Sequence, residues 1–184
     1  MFGIPMRRGI VAALFLVAAV VGTAGATGAS AAAPYCGITW GSLPKANETM
    51  SSAALINVRT GQHDCFDRVV FDFNGPATGY RVSYQDHIFT QAKGDEVPIA
   101  GGAKLDVVLL EPAYDINTGE TTFTSPFPNV AGHRTLRDLE FGGSFEGYTT
   151  IGVGVRARLP FRVFTLAGPG GHSRIVLDVA HRWS

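Results

Sequence analysis

Charged side chains are scarce in this sequence, and neither sign dominates. They make up 16 % of the 184 residues, with 15 Lys and Arg against 15 Asp and Glu. Proteins that bind nucleic acid through bulk charge carry a clear basic excess, so this balance argues against that class. Glycine, by contrast, is abundant at 23 residues. Such a composition suits many short strands joined by tight turns.

The sequence also lacks the spacings of familiar catalytic and metal sites. Its 5 histidines are scattered, without the pairs that bind zinc in metallopeptidases, and we expect no metal or other cofactor. Ser42 and Lys45 have the Ser-x-x-Lys spacing of penicillin-binding enzymes, but Pro44 disfavours the helix that this chemistry needs. Residues 115–120 resemble a calcium loop without its closing acidic ligand, and we interpret them as a turn. We therefore expect a protein that is not an enzyme.

The N terminus has the features of an export signal. Two arginines precede a strongly apolar run at residues 10–21, and small residues follow it. This order predicts a signal peptide over residues 1–31 that is cleaved after export. The general secretory route is favoured, and the twin-arginine route is the alternative because of the paired Arg7 and Arg8. An uncleaved anchor is the alternative, although the run is shorter than the ~20 residues that span a membrane. We expect a secreted, extracytoplasmic protein, without membrane contact once the signal is removed.

The only two cysteines, Cys36 and Cys65, follow the predicted signal peptide. An even number in an exported chain predicts one disulfide. Two free thiols are the alternative, and a metal site would need further ligands. A bridge that closes a loop of about 30 residues stabilises a fold by ~3–4 kcal/mol through chain entropy. We expect it to tie an irregular segment, residues 32–50, to the strand that begins near Arg68.

Beyond residue 50 the hydrophobic pattern is that of strands, and no segment has the pattern of an amphipathic helix. Alternation with a period of two predicts a strand with one buried and one exposed face. Strands are predicted at 53–58, 68–73, 80–84, 88–91, 105–110, 149–159, 161–166 and 174–179, with 135–141 either a strand or a helical turn. Turns are predicted at Thr60–Gly61 and at 168–171, and a wide loop at 112–132. The pattern predicts a single all-β domain, an antiparallel β-sandwich over residues 51–184.

Two of these strands resemble each other. The segments DRVVFDF and SRIVLDV share an Arg and an Asp four residues apart, separated by apolar residues. This similarity predicts an internal pseudo-repeat, and coincidence between two valine-rich strands is the alternative. If the two strands are antiparallel neighbours in register, Arg68 faces Asp178 and Asp72 faces Arg174.

The C-terminal run FRVFTLAGPGGHSRIVLDVAH, residues 161–181, resembles the end of the AMIN domain, a small β-sandwich of bacterial envelope proteins. The segments YCGITWGS (35–42), CFDRVVF (65–71) and FEG (145–147) make the chain more similar to the AMIN-like secreted proteins of actinobacteria. AMIN domains bind peptidoglycan and place enzymes at the cell wall. The resemblance implies a non-catalytic envelope protein that binds peptidoglycan, another wall polymer or a wall-associated protein.

The outer side of the predicted strand 149–159 is the candidate binding surface. Glycines in mid-strand weaken a sheet, so their presence needs a reason. One reason is a flat trough in which a sugar or peptide lies against the backbone, beside arginines that bind carboxylate or phosphate. The alternative is that aromatic side chains of adjacent strands cover the glycines. The candidate binding residues are Thr150, Gly152, Gly154, Arg156, Arg158 and Arg162.

Two other functions stay open from the sequence alone. A hydrolase acting on the cell wall would need two carboxylates roughly 5–10 Å apart in one cleft, and Asp72, Asp178 and Glu146 are its candidates. A structural module that binds a protein partner would instead expose an apolar patch.

Overall fold

The computed structural model describes residues 1–3, 34–124 and 126–183. The predicted cleavage site and most of the predicted signal peptide lie outside these residues. In the described part of the chain, the elements are nine strands and two short 3-10 turns, at Tyr35–Gly37 and Pro169–Gly171. The strands are β1 Lys45–Asn47, β2 Leu55–Gln62, β3 Phe66–Phe73, β4 Tyr80–Gln85, β5 Ala103–Leu109, β6 Leu136–Phe145, β7 Tyr148–Val155, β8 Phe161–Ala167 and β9 Ser173–Ala180. None of the helices among the described residues has the length and hydrophobicity that crossing a membrane requires.

The strands form two antiparallel sheets that pack face to face. The five-stranded sheet has the order β1-β4-β5-β7-β6, and the four-stranded sheet has the order β2-β3-β9-β8. Alternating apolar residues of both sheets fill the space between them, among them Phe71, Leu105, Ile151 and Leu177, each with no exposed surface. The prediction of an all-β antiparallel sandwich is confirmed.

The two similar strands are β3 and β9, and they lie side by side. They pair antiparallel, with Arg68 opposite Asp178 and Asp72 opposite Arg174. The predicted register is therefore confirmed. Asp72 and Arg174 face each other but form no ion pair. The Asp72 carboxylate instead accepts hydrogen bonds from Arg59 of β2, with Nε at 2.7 Å from Oδ2.

The reversal between β2 and β3 lies later than predicted. Thr60 and Gly61 continue the ladder of β2, opposite Val69 and Arg68 of β3. The chain turns instead at residues 63–65, where Cys65 forms the predicted disulfide with Cys36, with their Cα atoms 6.4 Å apart.

Three further segments either differ from the prediction or settle an alternative that it left open. The segment expected to be irregular contains the short strand β1, which pairs with β4. The segment 135–141, left open between strand and helix, belongs to β6, which pairs with β7 and contains two register shifts. Residues 88–91 do not form a strand, since only Phe89 makes a bridge, to Glu96.

The outer side of β7 is covered, which overturns the expectation of an open face. Ile88, Val97 and Ile99 form a small buried cluster above it. A Cβ added to Gly152 would collide with Ile99, and one added to Gly154 would collide with the backbone oxygen of Ala100. Gly152 and Gly154 are needed because a loop with aliphatic side chains packs directly on β7. The glycines are therefore covered, but by aliphatic rather than aromatic side chains.

Candidate functional site

The outer side of the four-stranded sheet carries four arginines, one from each strand. Alternation along β3 and β9 turns Arg68 and Arg174 away from the core, and the neighbouring strands add Arg59 and Arg162. We call this surface, defined by Arg59, Arg68, Arg162 and Arg174, the arginine face. Its position follows from the pairing of β2, β3, β9 and β8, since each pair places outward residues next to each other.

At one end of the arginine face, a single carboxylate binds two arginines. Asp178 has no exposed surface, whereas the side chains of Arg68 and Arg162 are 24 % and 32 % exposed. Arg68 donates from Nε to Oδ1 at 2.6 Å and from a terminal nitrogen to Oδ2 at 2.9 Å. Arg162 donates from Nε to Oδ2 at 2.8 Å. The bidentate pair fixes the orientation of the Arg68 guanidinium plane. Arg162 contacts the same carboxylate through Oδ2 alone.

Aromatic rings surround these two arginines. The Arg162 guanidinium lies 5.5 Å from the centre of the Trp40 ring and 5.0 Å from that of Phe164. The Arg68 guanidinium lies 5.1 Å from the centre of the Phe66 ring. Distances within about 6 Å allow favourable cation–π contacts. This end of the face is therefore a rigid cluster with an aromatic surround.

The other end of the arginine face also has two arginines and one aspartate, but only one of its arginines is paired. Asp72 pairs with Arg59, whose side chain is 51 % exposed. Arg174 donates to the backbone oxygen of Ala167 at 2.7 Å, and its Nε has no hydrogen-bond partner among the described residues. Arg174 forms no ion pair within the part of the chain that the structure describes.

A shallow groove of about 230 Å³ joins the two ends. Val70 and Val176 lie opposite each other at its floor, and His63 and Leu166 line its sides. The row of Arg68 and the row of Arg174 are four residues apart along a strand, which is roughly 13 Å. Because it has four arginines and two aspartates, the arginine face carries a net positive charge around an apolar floor.

The predicted site residues are not brought together. Arg162 lies on the arginine face, but Thr150, Gly152 and Gly154 are buried under the loop that covers β7. Arg156 and Arg158 are exposed but lie after the end of β7, beyond the loop that covers its glycines.

Those last two arginines make contacts of their own. Arg156 donates to the backbone oxygen of His181, and the Arg158 guanidinium lies 4.8 Å from the centre of the Tyr84 ring. The sequence reasoning overlooked Arg59, and it treated Arg68 and Arg174 only as charges that set strand register. The signal that could have identified these three arginines was their alternation with apolar residues along strands that pair with each other.

Comparison with known proteins agrees with this sandwich. The family model for the AMIN-like domain matches residues 53–181. The chain belongs to the AMIN-like domain family. Neither the curated proteins nor the solved structures gave a match to it.

The AMIN-like match covers the strands that carry the arginine face, from β2 to β9. It begins after the segment that carries Cys36 and Trp40, so this segment reaches the arginine face from outside the matched region. AMIN-like domains are extracytoplasmic, peptidoglycan-associated modules with a binding rather than a catalytic role.

The carboxylates considered for a hydrolase lie in different environments. Asp178 is fully buried between two arginines, and Asp72 is paired with Arg59. Glu146 lies in the turn between β6 and β7, at a φ of 50°. A retaining or inverting glycosidase needs two accessible carboxyl groups that face one cleft, and Asp178 does not meet that requirement.

Two other acidic groups are perturbed by burial. Burial raises the pKa of Glu111 to about 7 and that of Asp106 to about 6. Glu111 accepts hydrogen bonds from the backbone N–H groups of Thr78 and Gly79, at 3.2 and 3.0 Å, and from the Ser51 hydroxyl at 3.4 Å. These bonds join three chain segments, which is a structural role. Nothing in the sequence pattern singled out either residue.

Proposed function

We propose that this AMIN-like domain is exported and binds an anionic polymer of the cell wall through the arginine face. The observation that carries the proposal is the excess of arginine over carboxylate on one exposed sheet surface with a grooved, apolar floor. Arginine binds carboxylate and phosphate through paired donors and is weakly hydrated, so it suits polymers that carry such groups.

The geometry also favours an extended ligand over a compact one. Cationic groups lie at both ends of the groove, with Val70 and Val176 between them. A chain of sugars can place acidic groups on the arginines while its less polar surface covers Val70 and Leu166, the accessible apolar residues of the groove. Because the strands that form this surface are already ordered, the protein loses little conformational entropy when it binds such a ligand.

Retention on purified cell-wall sacculi tests this function. We expect the purified protein to sediment with sacculi and to be released as salt rises from about 0.05 to 0.5 M, since the Debye length shortens over that range. The variant with Arg59→Gln and Arg174→Gln should lose about tenfold in affinity, because two exposed ionic contacts contribute up to ~1 kcal/mol each. Its melting temperature should change little.

The matched control removes the same charge from the other sheet. Arg81 of β4 and Arg137 of β6 are exposed, and the variant Arg81→Gln with Arg137→Gln should bind sacculi as the wild type does. Equal losses in both variants would indicate binding by overall charge alone. Unchanged binding in the Arg59 and Arg174 variant would place the binding surface elsewhere.

One observation favours a protein partner as a second candidate. Phe141 and Phe145 of β6 are 40 % and 47 % exposed and line a cleft of about 310 Å³ with Gln91 and Lys93. Exposed aromatic residues beside polar ones are typical of protein-binding surfaces. Changing both phenylalanines to serine should leave sacculus retention unchanged if the arginine face is the polymer site. Loss of retention in this variant would favour the β6 edge.

A further inference from the structure

Trp40 is held on the arginine face by contacts that fix its whole segment. The Cys36–Cys65 disulfide ties the segment to the start of β3. Gly41 forms a β-bridge with Phe161, the first residue of β8. The Trp40 indole N–H donates to the backbone oxygen of Tyr35 at 2.9 Å. These restraints on both sides of Trp40 leave a half-buried indole ring in a defined place at the edge of the arginine face.

The neighbours of Trp40 are the fixed arginines. Its ring centre lies 5.5 Å from the Arg162 guanidinium and 5.9 Å from the Phe66 ring centre. Asp178 binds Arg162 and Arg68 together, so the cluster of two cations and one anion has one positive charge in excess. The bonds to Asp178 use Nε and one terminal nitrogen of each arginine. The second terminal nitrogen of each remains to donate to a ligand.

We propose that Trp40, Arg68 and Arg162 form a subsite for a pyranose ring that carries one acidic group. This inference rests on the proposed function and defines its ligand further. One excess positive charge matches one carboxylate or phosphate, and the indole ring offers a flat apolar surface to the C–H groups of a sugar ring. An anion without a sugar ring can contact only the two arginines, and a neutral sugar can contact only the indole ring.

Trp40 can report on this subsite directly. The chain has 2 tryptophans, and Trp183 is 53 % exposed and bonded through its indole N–H to the Arg158 backbone oxygen. In a Trp183→Phe background, the fluorescence of Trp40 should change on titration with N-acetylmuramic acid or glucose 6-phosphate. The two compounds separate a carboxylate source from a phosphate source, since each joins one acidic group to a pyranose.

Matched small molecules isolate the two requirements. Lactate and glycerol 3-phosphate carry the same acidic groups without a ring, and N-acetylglucosamine carries the ring without an acid. We expect each of them to bind at least tenfold more weakly than the acidic pyranose that binds best. Trp40→Leu, followed by calorimetry, should weaken that pyranose by at least tenfold, and Trp40→Phe should restore most of the affinity because it keeps an aromatic surface.

The outcomes distinguish this subsite from the proposed function. Binding of lactate or glycerol 3-phosphate as tight as that of the acidic pyranoses would overturn the subsite, as would an unaffected Trp40→Leu variant or no binding of any probe. If sacculus retention still depends on Arg59 and Arg174 in any of these cases, the arginine face stands as the polymer site without the pyranose subsite. If retention is independent of all four arginines, both inferences fail.

Discussion

Replacing Glu111 with glutamine should remove a loss of stability that develops between mildly acidic and neutral pH. The carboxyl group has no exposed surface, and its Oε2 atom has no hydrogen-bond partner among the described residues. Its Oε1 atom accepts the bonds from Thr78, Gly79 and Ser51. Glutamine keeps an oxygen acceptor for these donors and cannot ionise.

The magnitude follows from the raised pKa. Burial raises the pKa of Glu111 from 4.5 to about 7 in the folded protein. Because the folded-state pKa lies above the unfolded one, the unfolded state loses its proton first, and folding becomes less favourable as pH rises between these values. One pKa unit corresponds to about 1.4 kcal/mol, so the loss amounts to about 3 kcal/mol by pH 7 to 8.

Urea denaturation at a series of pH values measures this directly. The difference in unfolding free energy between Glu111→Gln and wild type should grow by about 3 kcal/mol from pH 4 to pH 8, in favour of the variant. An unpaired amide N–H₂ would shift all of these differences by a constant cost without changing their dependence on pH. Asp106 titrates in both proteins, so its contribution cancels. A difference that stays constant across this range would show that Glu111 ionises at its ordinary pKa, and the reasoning would be refuted.

Two further predictions test the packing of the sandwich. Gly152→Val should destabilise the fold by about 1–3 kcal/mol because the valine side chain would overlap Ile99. Thermal unfolding measures this loss. Gly61→Ala is the control, since a Cβ at residue 61 would meet only His63, at 4.0 Å. A Gly152→Val protein as stable as wild type would mean that the loop over β7 moves away easily. Changing Cys36 and Cys65 to serine should cost ~3–4 kcal/mol, given their separation of 29 residues, and should also increase solvent quenching of Trp40. Unchanged quenching in this variant would show that the β-bridge between Gly41 and Phe161 is enough to hold Trp40 in place.

Local alternation was sufficient to predict the core, but it could not predict what covers the sheets. Ile151 and Val153 face the core as expected, because a strand that contacts a hydrophobic layer must alternate. Gly152 alternates with them and looks solvent-facing in the sequence. Its cover comes from residues 88–99, where a strand was predicted at 88–91 but only a single bridge forms, and this segment contacts β7 only through the fold. Long-range packing by an irregular loop leaves no local signal, so the sequence could not decide between an open trough and covered glycines.

The arginine face, in contrast, depends on which strands are neighbours, and part of that order was within reach of the sequence. The similarity of β3 and β9 placed Arg68 opposite Asp178, and this register is what the structure has. The turn predicted at 168–171 implies that β8 and β9 form a hairpin, and the hairpin sets Arg162 opposite Asp178 from the other side. Together these two pairings predict one aspartate between two arginines, a geometry that no single strand displays. Arg162 was instead grouped with the outer face of the preceding strand, 149–159, as part of the candidate binding surface. A charged surface on a sandwich therefore has to be sought across hydrogen-bonded neighbours, because the outward residues of adjacent strands meet there even when they are distant in the chain.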